Sequence, residues 1–167
     1  MADIHIDDFC RDAARILLSL YNNFPRPQAV YVEDISGPDE PDEVGLHSRR
    51  YMACLGAMLW LADEGFLRYD NLIYQDGIDQ AVLTNKAFVL LSAASDLQLA
   101  PLQPELPRSL LAERRTLVEQ IRTALRSGTS DDLSTIVRFF LSRQPERVVS
   151  PAAVEQFPSG GCHSDIT

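Results

Sequence analysis

Several things are scarce in this sequence, and each scarcity narrows what the chain can be. No apolar run approaches the length of about eighteen residues that a membrane span needs. The first residues, MADIHIDDFC, are acidic and lack both the basic and the apolar segments of a secretory leader. Cys10, Cys54 and Cys162 show no paired spacing and give no disulfide framework. Cys10 and Cys54 fall inside helical patterns, where a buried free thiol is the ordinary reading, so a reducing cytoplasm is the expected location. Glycine forms no phosphate-cradling loop: Gly160-Gly161 lacks the Lys-Ser/Thr and the helix that such a loop feeds.

Histidine is equally sparse. His5, His47 and His163 are scattered, and the adjacent Cys162, His163 and Asp165 make a poor metal site in an irregular tail. No metal or cofactor is expected. The carboxylate pairs Asp7-Asp8, Asp63-Glu64 and Asp131-Asp132 sit where helix ends explain them, and no nucleophile motif marks a catalytic centre. The chain therefore reads as non-enzymatic, with a small enzyme of unrecognised type as the third reading. Lysine is nearly missing: Lys86 stands beside fourteen arginines, a bias that fits a GC-rich bacterial genome better than fourteen guanidinium sites.

What is present is mostly acid and apolar surface. The net charge of −9 lies wholly in residues 1–100, which carry seven Lys/Arg against sixteen Asp/Glu; residues 101–167 carry eight of each. An acidic front half repels phosphate backbones, so nucleic acid is possible as a partner but disfavoured.

Asp7 or Asp8 can cap a first helix to about Asn22, with Phe9, Ala13, Ile16, Leu17 and Leu20 on one face. Ala29–Val32 reads as a short strand and Asp34–Glu43 as a solvated acidic loop. The stretch 48–63 is apolar nearly all round: one face carries Met52, Leu55, Gly56, Leu59 and Ala62, the other Ala53, Ala57, Trp60 and Leu61. A helix apolar on both sides is buried on both sides, within the fold or at a subunit contact. Gly65 stops it, Phe66–Tyr69 reads as a strand, and Leu72–Tyr74 pairs with Ala81–Leu83 across an Asp76-Gly77 turn. Thr84 caps a short helix in which Ala87, Phe88, Leu90 and Leu91 point inward.

Beyond a proline-rich linker at 96–107, Pro107 starts a helix to about Ser127, and Ser130 opens another from Leu133 to Arg143. Together these form a helical hairpin at 108–143 that must bury its stripe in cis or against a second copy. Its arginines, 108, 114, 115, 122, 126, 138 and 143, read as a solvated face paired with Glu113 and Glu119. Phosphate contacts and the acidic half of a neighbouring copy are the alternatives. An irregular tail occupies 144–167.

Two phrases, Leu59-Trp60-Leu61-Ala62-Asp63-Glu64-Gly65-Phe66-Leu67 and Ala81-Val82-Leu83-Thr84-Asn85-Lys86-Ala87, resemble the winged-helix superfamily over residues 8–91. The resemblance implies a mainly α fold with a small β wing (α+β), forming a domain over 1–95 followed by the helical hairpin. It departs from DNA-reading members in three ways. The outward face of the third helix would be Ala53, Ala57, Trp60 and Leu61; the wing carries Asp70, Asp76 and Asp79 and no cation; and the second helix is reduced to a turn near Val44-Gly45-Leu46. The leading expectation is accordingly protein–protein interaction or homodimerisation through Ala53, Ala57, Trp60 and Leu61. A DNA-binding transcriptional regulator using Arg49, Arg50, Tyr51 and Arg68 is the alternative.

Overall fold

The computed structural model describes residues 4–95, 97 and 108–143. The linker around 98–107 and the tail from 144, including Cys162, His163 and Asp165, lie outside the described residues. The first helix, α1 (Ile4–Asn23), buries Cys10, Ala13, Ala14, Ile16, Leu17 and Leu20. It begins ahead of Asp7, so that carboxylate sits in the first turn, where it complements the helix dipole instead of capping the end.

Strand β1 (Gln28–Tyr31) leads directly into a one-turn helix, α2 (Val32–Ser36), which buries Val32 and Ile35. The sequence reading placed solvated loop from Asp34. A helix forms because the Val32 amide reaches Asp76 O at 2.7 Å and Arg15 reaches Ile35 O at 2.6 Å, anchoring both ends to distant elements. The turn at Val44-Gly45-Leu46 is present as well, tied by Asp42, whose side chain accepts from the amides of Val44 and Leu46.

Helix α3 (Arg49–Asp63) starts where Ser48 accepts from the Tyr51 amide. It ends in a Schellman motif: Gly65 is left-handed (φ 74°), Phe66 N donates to Leu61 O, and Gly65 N donates to Ala62 O. Three short strands then share one partner. Strand β4 (Gly77–Leu83) pairs antiparallel with β1, with β2 (Leu67–Arg68) and with β3 (Asn71–Ile73).

The register differs from the sequence reading. Asn71, Leu72 and Ile73 oppose Asp79, Ile78 and Gly77, while Val82 and Leu83 pair with β2 instead. The left-handed residue of the turn is Tyr74 (φ 46°). Gly77 matters for a different reason: a Cβ there would lie 2.2 Å from Val30 O, so β1 approaches too closely for any other residue.

Thr84 caps α4 (Asn85–Ser92), where Ala87 and Leu91 are buried and Phe88 stacks on Phe24 at 4.3 Å. The helix expected from Pro107 to Ser127 is two helices, α5 (Arg108–Arg114) and α6 (Leu117–Ser127). The chain breaks because Thr116 caps α6 and Ala94 bridges Thr116, with Ser95 N donating to Arg115 O and Leu117 N to Ala93 O. Helix α7 (Ser130–Ser142) opens on a capping box between Thr129 and Asp132.

Helices α6 and α7 pack in cis. Ser134 donates to Asp7 at 3.0 Å, Arg11 to Ser130 at 3.3 Å, and the Phe66 and Phe140 rings lie 5.0 Å apart. Leu117, Ile121, Ile136, Val137 and Phe140 thus join the same core as α1, α3 and the sheet. The fold is α+β and mainly helical.

Candidate functional site

Helix α3 is apolar nearly all round, but among the described residues only one side of it is covered. Tyr51, Cys54, Leu55, Ala57, Met58 and Leu61 are buried in the core. The other side, Met52, Ala53, Gly56 and Trp60, faces outward, with Met52 38% and Trp60 39% exposed. Leu61 and Ala57 were grouped with Trp60 and Ala53 in the sequence reading. Leu61 is fully buried by its own chain and cannot present itself to a partner, and Ala57 retains only its edge at the rim. Adjacent residues on a helix diverge by about 100°, so Trp60 and Leu61 part company at the surface.

Phe9 of α1 extends this outward face. Its ring meets the Trp60 indole edge-on, with centroids 5.3 Å apart, a favoured aromatic geometry. Together Phe9, Ala53, Gly56, Ala57 and Trp60 line a depression of about 370 Å³. Among the described residues no charged side chain lines it, as one would to orient a small molecule. An apolar hollow of this kind suits the side chains of another protein.

Gly56 adds a second observation. Glycine in a helix interior costs about 0.5–1 kcal/mol relative to alanine. Gly56 has ordinary helical backbone, and a Cβ built on it would meet nothing within 4 Å. Among the described residues nothing requires the missing side chain.

The four residues considered for DNA contact do not form one surface. Arg50 is committed: it grips Asp12 through both nitrogens at 2.6 Å and reaches Asp8 at 3.7 Å. Asp12 is only 1% exposed, so the pair closes the α1–α3 contact, and it holds the Arg50 proton more firmly than usual. Tyr51 is 5% exposed and donates to Asp76 at 3.3 Å. Burial first, then the Asp76 charge, pushes its phenol up to about 12.

Arg49 and Arg68 are exposed. Arg49 opens α3 and Arg68 closes β2, on separate elements. Asp70, Asp76 and Asp79 keep the β3–β4 region acidic. Comparison with protein-family models, curated proteins and solved structures finds no match for this chain. Its chemistry has to be read from its own residues.

The two described thiols are buried and free. Desolvation dominates at both, raising Cys10 and pushing Cys54 up to about 12, so neither carries the thiolate a nucleophile needs. Among the described residues no group of three or more His, Cys, Asp and Glu is arranged to hold a metal ion. None of the described helices is long and apolar enough to cross a membrane. In the C-terminal helices, Arg122 pairs with Glu119 one turn away and reaches Asn22 at 2.6 Å, and Arg143 lies over the Phe139 ring at 4.3 Å.

Sequence reasoning missed Phe9 as part of the outward face and Asp12 as the partner of Arg50. Both are separated from α3 by some forty residues of chain, and no local pattern links them.

Proposed function

We propose that the chain is a non-enzymatic, winged-helix-like protein that acts by self-association through the outward face of α3. The element order α1–β1–α2–α3–β2–β3–β4 and a sheet in which β1 and β2 flank β4 support the winged-helix part of this reading. The observation that carries the functional part is the hollow between Phe9 and Trp60, floored by a glycine that no described residue of the chain requires. A second copy crossing there gives Gly56 a purpose, because a helix approaches another most closely over a residue without a side chain.

In this reading α3 is a contact helix, and the absence of free cations at its centre follows. Acidic surface elsewhere keeps copies from associating indiscriminately.

The test is the mass of the protein in solution by light scattering over a concentration series. A dimer that Gly56→Glu converts to monomer supports the proposal. A Cβ at this position meets nothing within 4 Å among the described residues, and circular dichroism of the variant checks that its fold is kept. A wild-type monomer at every concentration refutes self-association. Fluorescence anisotropy with random-sequence duplex DNA separates the regulator reading. Salt-sensitive binding that weakens on Arg49→Ala and Arg68→Ala would favour it.

A further inference from the structure

A cluster that the proposed contact face does not use sits at the opposite side of α3's first turn. His47 lies between two carboxylates: Nδ1 is 3.1 Å from Asp39 Oδ2, and Nε2 is 3.4 Å from Asp76 Oδ1. Its ring stacks on Tyr51, with centroids 4.2 Å apart and planes 13° from parallel. The same Asp39 oxygen accepts from the Ser48 amide at 3.0 Å, and the same Asp76 oxygen accepts from the Tyr51 hydroxyl at 3.3 Å.

Three separate pieces of chain therefore meet around one imidazole. Asp39 belongs to the acidic loop after α2, Asp76 to the β3–β4 turn, and Ser48 and Tyr51 to the start of α3. Glu33 of α2 adds a further negative field that reaches Tyr51. Among the described residues the ion-pair partners of His47 are both aspartates.

The arrangement discriminates between protonation states. A neutral imidazole has one N–H and one lone pair, so it can donate to only one carboxylate and must turn a lone pair toward the other. The imidazolium donates Nδ1–H to Asp39 and holds its positive charge 3.4 Å from Asp76, so both carboxylates face a cation. We propose that His47 is a proton-operated clasp that fastens the 37–47 loop and the N-terminus of α3 to the β3–β4 turn. When the ring is charged, both carboxylates are held. When it loses its proton, one of the two contacts becomes unfavourable and the loop is released from the turn.

The direction of the effect is fixed by this geometry. Closure is favoured at the acid end of the range over which imidazoles titrate and is lost toward the alkaline end. Asp39 remains ionised throughout that range: the Ser48 amide, ahead of His47, holds its carboxyl below the usual value.

Nuclear magnetic resonance tests this on the full chain. Long-range ¹H–¹⁵N spectra of the ring report the His47 protonation state directly. Amide exchange of Ser48 and of residues 42–46, corrected for the intrinsic pH dependence of exchange, reports closure. Protection should fall by about fivefold as the ring deprotonates, the size expected of two partly exposed ion pairs acting together. His47→Gln should show the low protection at every pH, and Asp76→Asn should blunt the change. Deprotonation of His47 in the wild-type protein without any change in these amides would overturn the proposal, and that result needs no variant to fold.

Discussion

Replacing Arg50 separates a structural role from a nucleic-acid role most sharply. Its guanidinium makes two 2.6 Å bonds to an aspartate that is 1% exposed, at the point where α1 meets α3. Arg50→Ala leaves the Asp12 carboxylate in the core with no cation. Breaking a buried pair in this way costs about 3–5 kcal/mol. The Arg50 side chain is itself 35% exposed, so water replaces part of the lost solvation and the lower end, about 3 kcal/mol, is expected. Urea denaturation followed by circular dichroism measures this as a drop in midpoint at unchanged slope. Removing both partners, as Asp12→Leu with Arg50→Met, should restore much of the loss, because an apolar pair of similar volume leaves nothing unsatisfied. If Arg50→Ala proved neutral to stability, the pair would not secure the α1–α3 contact. If the double variant were as unstable as the sum of the two singles, the argument from an orphaned carboxylate would fail.

Four further outcomes follow from other sites. Gly56→Ala should stabilise the isolated subunit by about 0.5–1 kcal/mol, seen as a raised melting temperature in dilute solution, while weakening association measured by light scattering. Gly77→Ala places a carbon 2.2 Å from Val30 O and should destabilise by about 3 kcal/mol or more in urea titrations. Tyr51 keeps its proton longer in the folded state, so it contributes stability that is present below the ordinary tyrosine value near pH 10 and declines as pH rises toward about 12. Absorbance at alkaline pH should show a late tyrosine step that Tyr51→Phe removes. Asp39 runs the other way: its lowered carboxyl contributes stability above the ordinary value of about 3.9 that is lost as pH falls through the folded one. Asp39→Asn should therefore flatten the acid limb of a pH–stability curve.

Helix α3 shows where sequence reasoning succeeds and where it stops. Ser48 and Gly65 mark its ends through local backbone chemistry, and both limits are visible in the order of residues. Which side it buries was not visible, because Ala53, Gly56 and Trp60 count as apolar whichever way they face. Leu61 and Trp60 were taken together and the fold divides them. The sequence of α7 reads as a stripe of Leu133, Ile136, Val137, Phe140 and Leu141, of which all but Leu141 are buried, but its target is not legible, since α1 lies more than a hundred residues earlier. Thr116 is a further case: a cap was present in the sequence, yet the continuous apolar spacing across it reads as a single helix. Gly77 was identified for its position beside Asp76, whereas its function depends on the passage of β1, which no local rule encodes.

The sharing of one core by α1 and α7 has a consequence for synthesis. Cys10, Ala13, Ile16 and Leu17 leave the ribosome early, yet Ile136, Val137 and Phe140 of the same core are made more than a hundred residues later. At about 5–20 residues per second the nascent chain carries an unfinished apolar helix for on the order of ten seconds. The sheet cannot shelter it, because β1 has no partner until β4 has emerged. For that interval the core face of α1 lacks the α7 side chains that complete it, and a chain ending before α7 would leave that face bare.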